Sequence, residues 1–212
     1  MRIGATLHHL LITAALPEHA RIDVLRRMGA PGRHYHGLHH LGYLWIRHRR
    51  YGTGTPFAGP RLSRLIACAI LFHDAIYDPS RPDNEHRSAL LWRHSAPGNL
   101  AARDIDWVAQ AILATADHLA PRPDRTLRQR ALLWMLDLDL TPLGEEPGLF
   151  ARNTRALRVE YRHVPECDWQ QRRVGFLRKL QSAPALYRSA PIAAAFAAQA
   201  RRNIAREVGG ET

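Results

Sequence analysis

The chain contains very little cysteine. Cys68 and Cys167 are its only cysteines among 212 residues, and they form no Cys-x-x-Cys pair. Disulfide-dependent scaffolds are dense in cysteine, and zinc sites built from thiolates need cysteines at short spacing. The sequence therefore argues against both.

Long apolar runs are also absent. No stretch approaches the roughly 18 apolar residues that a membrane-spanning helix needs. Residues 1–16 carry a single arginine, and His8 and His9 interrupt their apolar run, which lacks a small-residue cleavage site. This pattern predicts a first helix instead of a signal peptide. We therefore expect a cytoplasmic protein with no membrane partner.

Lysine is almost missing, since Lys179 is the single lysine, yet arginine brings the formal net charge to +11. Such a charge can indicate a nucleic-acid partner. Here the arginines are scattered, with no dense basic block and no interleaved aromatic residues on which bases could stack. The charge therefore favours a small anionic phosphorylated substrate over nucleic acid.

The alternation of apolar and polar residues that marks a strand is missing as well. Apolar residues recur instead at the three- and four-residue spacing of helices. The clearest such segments are 7–16, 38–46, 62–76, 89–92, 105–113, 127–143, 174–180 and 192–208. We predict one all-α domain over residues 1–212, a compact bundle with its core at about 33–145 and C-terminal helices at about 147–208.

Two segments place histidine and aspartate where they could bind a metal. On a helix, His36 and His40 are four residues apart and share one face. His73 and Asp74 follow an apolar helical run, and Asp78 comes one turn after Asp74 if the helix continues. Polar groups at the edge of a core helix are costly to bury unless something satisfies them, and a divalent metal is the usual partner.

A third segment adds two carboxylates inside an apolar helix. Asp137 and Asp139 are two residues apart, so only one of them can face a shared interior site. Imidazole and carboxylate ligands without thiolate suit a divalent ion such as Mn, Mg, Co, Ni, Fe or Zn. The joint order of His, His-Asp and Asp therefore predicts a metal site.

This order resembles the HD-domain superfamily of metal-dependent phosphohydrolases, an all-α family defined by the pattern H…HD…D. The matching positions here are His40, His73, Asp74 and Asp139. Asp139 is favoured over Asp137 because Asp139-Leu140-Thr141 is similar to the D-L-S segment of cyclic-nucleotide phosphodiesterases in that superfamily. The resemblance implies an HD-like bundle and hydrolysis of a nucleotide or other small phosphate ester.

Further motifs resemble one bacterial subgroup of predicted HD phosphohydrolases, over roughly residues 5–208. They are Arg33-x-Tyr35-His36-x-x-x-His40, Phe72-His73-Asp74-Ala75-x-Tyr77-Asp78, Asp83-Asn84-Glu85-x-x-Ser88-Ala89, Thr115-x-x-His118, Asp137-x-Asp139-Leu140-x-x-Leu143-Gly144, Arg158-x-Glu160-Tyr161 and Ala200-Arg201-x-Asn203. The match implies a family and leaves the substrate open.

The resemblance also suggests catalytic roles. Asp78, together with Asp74, is the candidate for proton transfer, because the HD hydrolases of guanosine tetraphosphate carry an acidic pair in the pattern H-D-x-x-E-D. This chain departs from that pattern, since Tyr77 stands where the glutamate would be. The departure keeps open a second interpretation, a regulatory module that binds metal or nucleotide without efficient turnover.

Several other residues are candidates either for contacting substrate or for orienting the metal ligands through hydrogen bonds. These residues are Arg33, His36, Glu85, His118 and Asp137. For Arg158 and Glu160 a structural ion pair is favoured over contact with substrate. A nucleic-acid-associated protein and a di-iron oxygenase are the remaining alternatives. The sequence leaves metal count and oligomeric state open, a homodimer included.

Overall fold

Helices make up most of the described part of the chain, residues 3–122 and 124–210 of a computed structural model. No strand occurs within these residues, which confirms the predicted all-α class. Residues 1, 2, 123, 211 and 212 of the predicted domain lie outside them. The ten helices are α1 (Ile3–Ala14), α2 (Glu18–Met28), α3 (Leu38–Gly52), α4 (Pro60–Phe72), α5 (Asn84–Ser95), α6 (Ala102–Ala114), α7 (Leu127–Leu140), α8 (Pro147–Glu160), α9 (Glu166–Gln181) and α10 (Ala190–Val208).

The centre of the bundle is formed by α4 and α7. Every residue from Leu65 to Phe72 in α4, and from Ala131 to Leu138 in α7, is buried. A helix that is apolar on all sides is stable in water only when other helices surround it. The two candidate ligand segments that follow or end these helices are therefore held by the most rigid part of the fold.

The N-terminal helix α1 belongs to the same core. It packs against α3 and α4, and its residues Leu10 and Ala14 are fully buried in the central apolar cluster. Helix α1 therefore contributes to the buried apolar cluster. In the described residues, no helix is long and apolar enough to cross a membrane.

The C-terminal helices α8, α9 and α10 follow the bundle, and α10 is fixed to the short 3-10 turn Thr141–Gly144. The Asn203 side-chain amide donates hydrogen bonds to the carbonyl oxygens of Leu143 and Glu145, at 2.9 and 2.8 Å. A Cβ atom on Gly144 would come within 2.7 Å of Phe196. Only glycine allows so close an approach of α10.

Helix α4 ends at Phe72, earlier than the apolar periodicity to Ile76 predicts. The backbone beyond it is satisfied by side chains of α5 instead of by a further helical turn. The Ile76 N–H donates to Ser88 Oγ, and Ser88 Oγ donates to the Ile76 carbonyl. The Asp78 N–H donates to Asn84 Oδ1 at 2.9 Å, and Asn84 Nδ2 donates to the Asp78 carbonyl at 2.8 Å. Residues 73–80 are therefore a loop.

Candidate metal centre

Four side chains from three separate segments converge at the candidate centre. His40 lies in the first turn of α3, His73 and Asp74 follow α4 directly, and Asp139 lies in the last turn of α7. The Nε2 atoms of His40 and His73 are 3.3 Å apart. The ligand-type atoms of His40, His73 and Asp74 all lie within 4.8 Å of one another. The fold thus brings together residues that are up to 99 positions apart.

The carboxylates lie close to both imidazoles. Asp139 Oδ1 is 3.0 Å from His40 Nε2 and 3.5 Å from His73 Nε2. Asp74 Oδ2 is 2.9 Å from His73 Nε2 and 3.9 Å from His40 Nε2. Each of the two carboxylates therefore places an oxygen within 4 Å of both imidazole Nε2 atoms.

The hydrogen bond on the far side of His73 sets its orientation. His73 Nδ1–H donates to the Ile70 carbonyl at 3.0 Å, which directs Nε2 at the cluster. Metal-binding histidines are typically oriented in this way. His73 is 1% exposed. Burial alone would lower its pKa, but the charges of Asp74 and Asp139 raise the pKa well above its ordinary value.

Both carboxylates of the cluster favour the charged form. Burial alone would raise the pKa of Asp139, but the charge of His73 and hydrogen bonds from His118 and His40 hold it well below its usual range. Burial likewise opposes ionisation of Asp74, and the charges of His73 and His36 outweigh burial and lower its pKa. The raised pKa values of His73 and His36 are the counterpart of these two negative charges.

His118 supports Asp139 from the side of the cavity. It follows the 3-10 turn Thr115–Asp117, and its Nε2–H donates to Asp139 Oδ2 at 2.8 Å. This contact fixes the carboxylate and leaves Oδ1 directed at His40 and His73. His118 was predicted as a substrate contact or a support for the ligands, and its position fits the second role.

Asp137 is directed away from the cluster and is fully buried. Its Oδ2 accepts hydrogen bonds from the backbone N–H groups of Arg188 and Ser189, at 2.8 and 2.6 Å. Burial is the main cause that raises the pKa of Asp137. This aspartate ties the segment before α10 to α7, so the structure places Asp139 and not Asp137 beside the histidines.

Arg33 holds the loop that carries Asp74. Its guanidinium donates to the carbonyl oxygens of Asp74 and His36, at 2.7 and 2.9 Å, and to the Ala75 carbonyl at 3.1 Å. Because its guanidinium binds backbone carbonyls of both loops, Arg33 positions the centre through the backbone and not through the ligand side chains. It joins residues 33–36 to residues 74–75.

His36 lies in the loop before α3, so the predicted shared helix face with His40 does not form. Glu160, at the end of α8, organises this loop. One of its oxygens accepts from the N–H groups of residues 34, 35 and 36, and the other accepts from His36 Nδ1–H at 2.6 Å. Burial opposes the charged form of each, yet the charge of Asp74 and the contact with Glu160 raise the pKa of His36, and the contact with His36 lowers that of Glu160. If residues 34–36 were helical, their N–H groups would no longer bind the Glu160 carboxylate, so the loop conformation is favoured.

Asp78 and Glu85 are not brought to the centre. Asp78 Oδ1 accepts from the backbone N–H and the hydroxyl of Ser80, at 3.0 and 2.7 Å, because residues 73–80 form a loop instead of a helical turn. These contacts lower the pKa of Asp78. Glu85 lies in the first turn of α5, and among the described residues no hydrogen bond joins it to the cluster.

A cavity of about 540 Å³ borders the centre at Asp139. Asp139, His118 and His36 line it from the bundle, and α8 and α9 supply much of its wall. Four lining residues of α9 share one helix face, at positions i, i+3, i+4 and i+7. These are Trp169, Arg172, Arg173 and Phe176. The cavity is therefore partly aromatic and partly basic, and of the size that a small-molecule ligand needs.

Sequence reasoning did not find the α9 wall or the role of Glu160. The wall carries a readable signal, because two aromatic residues and two arginines recur at helical spacing within residues 169–176. The partners of Glu160 lie some 125 residues away along the chain and leave no local pattern.

No protein-family model, curated protein or solved structure matches this chain in comparisons with each of those three groups. These comparisons therefore identify no family for this chain.

Proposed function

We propose that this chain is a metal-dependent phosphohydrolase that cleaves a nucleotide or another small phosphate ester. The observation that carries the proposal is the convergence of His40, His73, Asp74 and Asp139. Their ligand-type atoms come from three segments, and five of their pairwise distances lie between 2.9 and 3.9 Å. The order of these residues along the chain is that of the superfamily which the sequence resembles.

The donor set fits a divalent ion. Two imidazole nitrogens and two carboxylate oxygens, without thiolate, are ligands that Mn, Fe, Co, Ni and Zn accept. The His73 tautomer leaves Nε2 free to bind. When bound, such an ion would supply Lewis-acid stabilisation of phosphate oxygens and a water of lowered pKa.

The surrounding residues supply the other requirements of phosphoester hydrolysis. Arg172 gives the cavity wall a positive charge, which attracts a phosphate group, whereas the charge of Arg173 is paired with Glu207 at 2.7 Å. His36 keeps its second ring nitrogen, Nε2, for the substrate, since Glu160 binds Nδ1. We assign to His36 a hydrogen bond to the leaving oxygen, and to His118 the orientation of Asp139. Asp78 takes no part in this scheme.

The test is a hydrolysis screen on the purified full-length chain. Phosphomonoesters, phosphodiesters and nucleotides are incubated with Mn, Mg, Co, Ni, Fe or Zn ions, each with and without EDTA. We expect phosphate release with at least one metal, its loss on chelation and its return when metal is restored. Binding of metal without turnover of any substrate would contradict the enzyme and favour the regulatory module.

Matched histidine variants show whether the activity belongs to this centre. His73→Gln removes a proposed ligand, whereas His86→Gln changes an exposed histidine of α5. Activity is expected to disappear in the first variant and to persist in the second. Equal activity in the two variants would assign the hydrolysis to another site or to a contaminant.

A further inference from the structure

A second cavity, of about 600 Å³, lies against the loop that carries Asp74. Its wall includes Ala75, Ile76 and Tyr77 from that loop. His40, His73, Asp139 and His118 do not line it. The second cavity is therefore separate from the candidate metal centre, although both touch the same loop.

Arginine dominates the charged lining of this second cavity. Arg27, Arg33, Arg87 and Arg162 contribute to it, together with His163. These residues come from α2, the loop before α3, α5 and the segment after α8, so four parts of the chain bring positive charge to one place.

The two carboxylates in the lining are already engaged. Glu160 accepts from three backbone N–H groups and from His36, and Asp78 accepts from Ser80. Neither forms a salt bridge with an arginine of the cavity among the described residues. The four arginines therefore outnumber the two carboxylates, and the lining keeps a net positive charge.

Several guanidinium donors have no protein acceptor. Arg87 and Arg162 are exposed, and their side chains make no hydrogen bond or ion pair with the described residues. Arg27 uses Nε for Asp23, at 2.7 Å, which leaves its terminal nitrogens. Arg33 donates to neutral acceptors, three carbonyl oxygens and a sulfur atom, and forms no salt bridge among the described residues, although the charges of Asp74 and Glu160 lie close to it.

We propose that this cavity binds a small anion carrying two or more phosphate groups. Guanidinium groups bind phosphate oxygens in a bidentate manner and keep their charge at any physiological pH. Arg87 and Arg162 can each bind a phosphate group, Arg27 keeps its terminal nitrogens beside them, and the cavity has the volume of a small-molecule site. A ligand here lies against Arg33, which holds the carbonyl oxygens of Asp74 and Ala75.

Calorimetric titration with inorganic pyrophosphate tests the proposal. The full-length chain is first stripped of metal and kept in EDTA, so that pyrophosphate cannot bind through an ion at the candidate centre. The titration is run at about 0.15 M salt to screen diffuse attraction to the positive surface. We expect saturable binding of one pyrophosphate per chain.

Two double variants with the same loss of charge identify the site. Arg87→Gln with Arg162→Gln removes two cavity arginines, and Arg178→Gln with Arg201→Gln removes two exposed arginines of α9 and α10. All four positions are exposed, so both proteins are expected to fold, as melting curves will verify. The cavity variant should bind pyrophosphate at least about tenfold more weakly. The control variant should stay within about twofold of the unmodified protein.

Equal weakening in the two double variants would overturn the proposal, because it would assign the binding to net charge alone. Absence of saturable binding at millimolar pyrophosphate would overturn it as well. The metal-free readout makes this result independent of the proposed hydrolase, which could fail without affecting it.

Discussion

Asp137 and Asp139 differ by two positions and have different environments. Asp139 lies beside His40 and His73, and Asp137 accepts two backbone hydrogen bonds in a buried setting. Asp137→Ala leaves those N–H groups without an acceptor, so we expect the free energy of unfolding to fall by about 2 kcal/mol or more. Urea unfolding measures this change in the free energy of unfolding. Metal should still raise the stability of this variant, and loss of that response would contradict the assignment.

Asp78 provides a second prediction at the level of single residues. Its carboxylate contacts Ser80 and not the cluster, so Asp78→Asn should keep the hydrolysis rate within about threefold of the unmodified chain. Asp74→Asn, which removes a proposed ligand, should lower that rate at least about a hundredfold, since even residues that only support ligands cost about 10- to 100-fold. A similar loss of hydrolysis rate in both variants would show that Asp78 takes part in catalysis.

The residues of the cluster could be anticipated from sequence better than those around it. His40, His73, Asp74 and Asp139 are recognisable by type and order, and the structure brings them together. The predicted places of His36 and Asp78 depended on continuous helices. Helix α3 begins only after His36, because Glu160 binds the backbone before it, and α4 ends before Asp78, where Ser88 binds the backbone. Contacts between residues far apart in the sequence leave no periodic pattern.

At the level of elements, the loop before α3 depends on the end of α8. Glu160 accepts hydrogen bonds from three consecutive residues of that loop. We expect Glu160→Ala to weaken metal binding about 10- to 100-fold, the range found for residues that orient ligands. Glu166→Ala, an exposed glutamate paired with Arg158, is the matched control and should change the affinity less than twofold. Equal effects would show that the loop holds its shape without Glu160.

His48 connects α3 to α4 and α7 inside the core. Trp134 Nε1 donates to His48 Nδ1, and His48 Nε2–H donates to Ser63 Oγ. Burial lowers the pKa of His48 to about 4. Below about pH 6.5, His48 binds a proton in the unfolded chain, whereas in the folded chain it stays neutral down to about pH 4. The free energy of unfolding that neutral His48 contributes is therefore lost as pH falls.

This linkage predicts a specific pH dependence. Between pH 7.5 and pH 5, neutral His48 should account for a loss of about 2 kcal/mol in the free energy of unfolding. His48→Gln should show a correspondingly smaller loss over that interval in urea unfolding, while His86→Gln should behave as the unmodified chain does. The same pH dependence in all three proteins would contradict a buried neutral His48.

The helices themselves were largely predictable, but not all of their ends were. The apolar character of 62–72 and 127–140 is explicit in the sequence, and both segments are buried helices. Helix α10 ends at Val208, where the predicted segment 192–208 also ends. The end of α4 at Phe72 was missed because the acceptors and donors that replace its next turn belong to α5.

At the scale of the whole molecule, the candidate centre joins parts of the chain that are far apart. Its residues come from α3, the loop after α4, and α7. A ligand that binds only the folded state stabilises it by about 2.7 kcal/mol at a hundred times its dissociation constant. We therefore expect a bound divalent ion to raise the melting temperature by several degrees, as measured by calorimetry. EDTA should reverse the shift, and His73→Gln should not show it.

The central claim is that His40, His73, Asp74 and Asp139 form a metal site. Equilibrium binding of Mn²⁺, followed by electron paramagnetic resonance, tests it most directly on the unmodified chain, Asp139→Asn and Asp137→Asn. The unmodified chain and Asp137→Asn should bind Mn²⁺ with affinities within about threefold of each other. Asp139→Asn should bind at least about a hundredfold more weakly, beyond the cost typical of supporting residues. Unchanged affinity in Asp139→Asn, or no Mn²⁺ binding by the unmodified chain, would contradict the account.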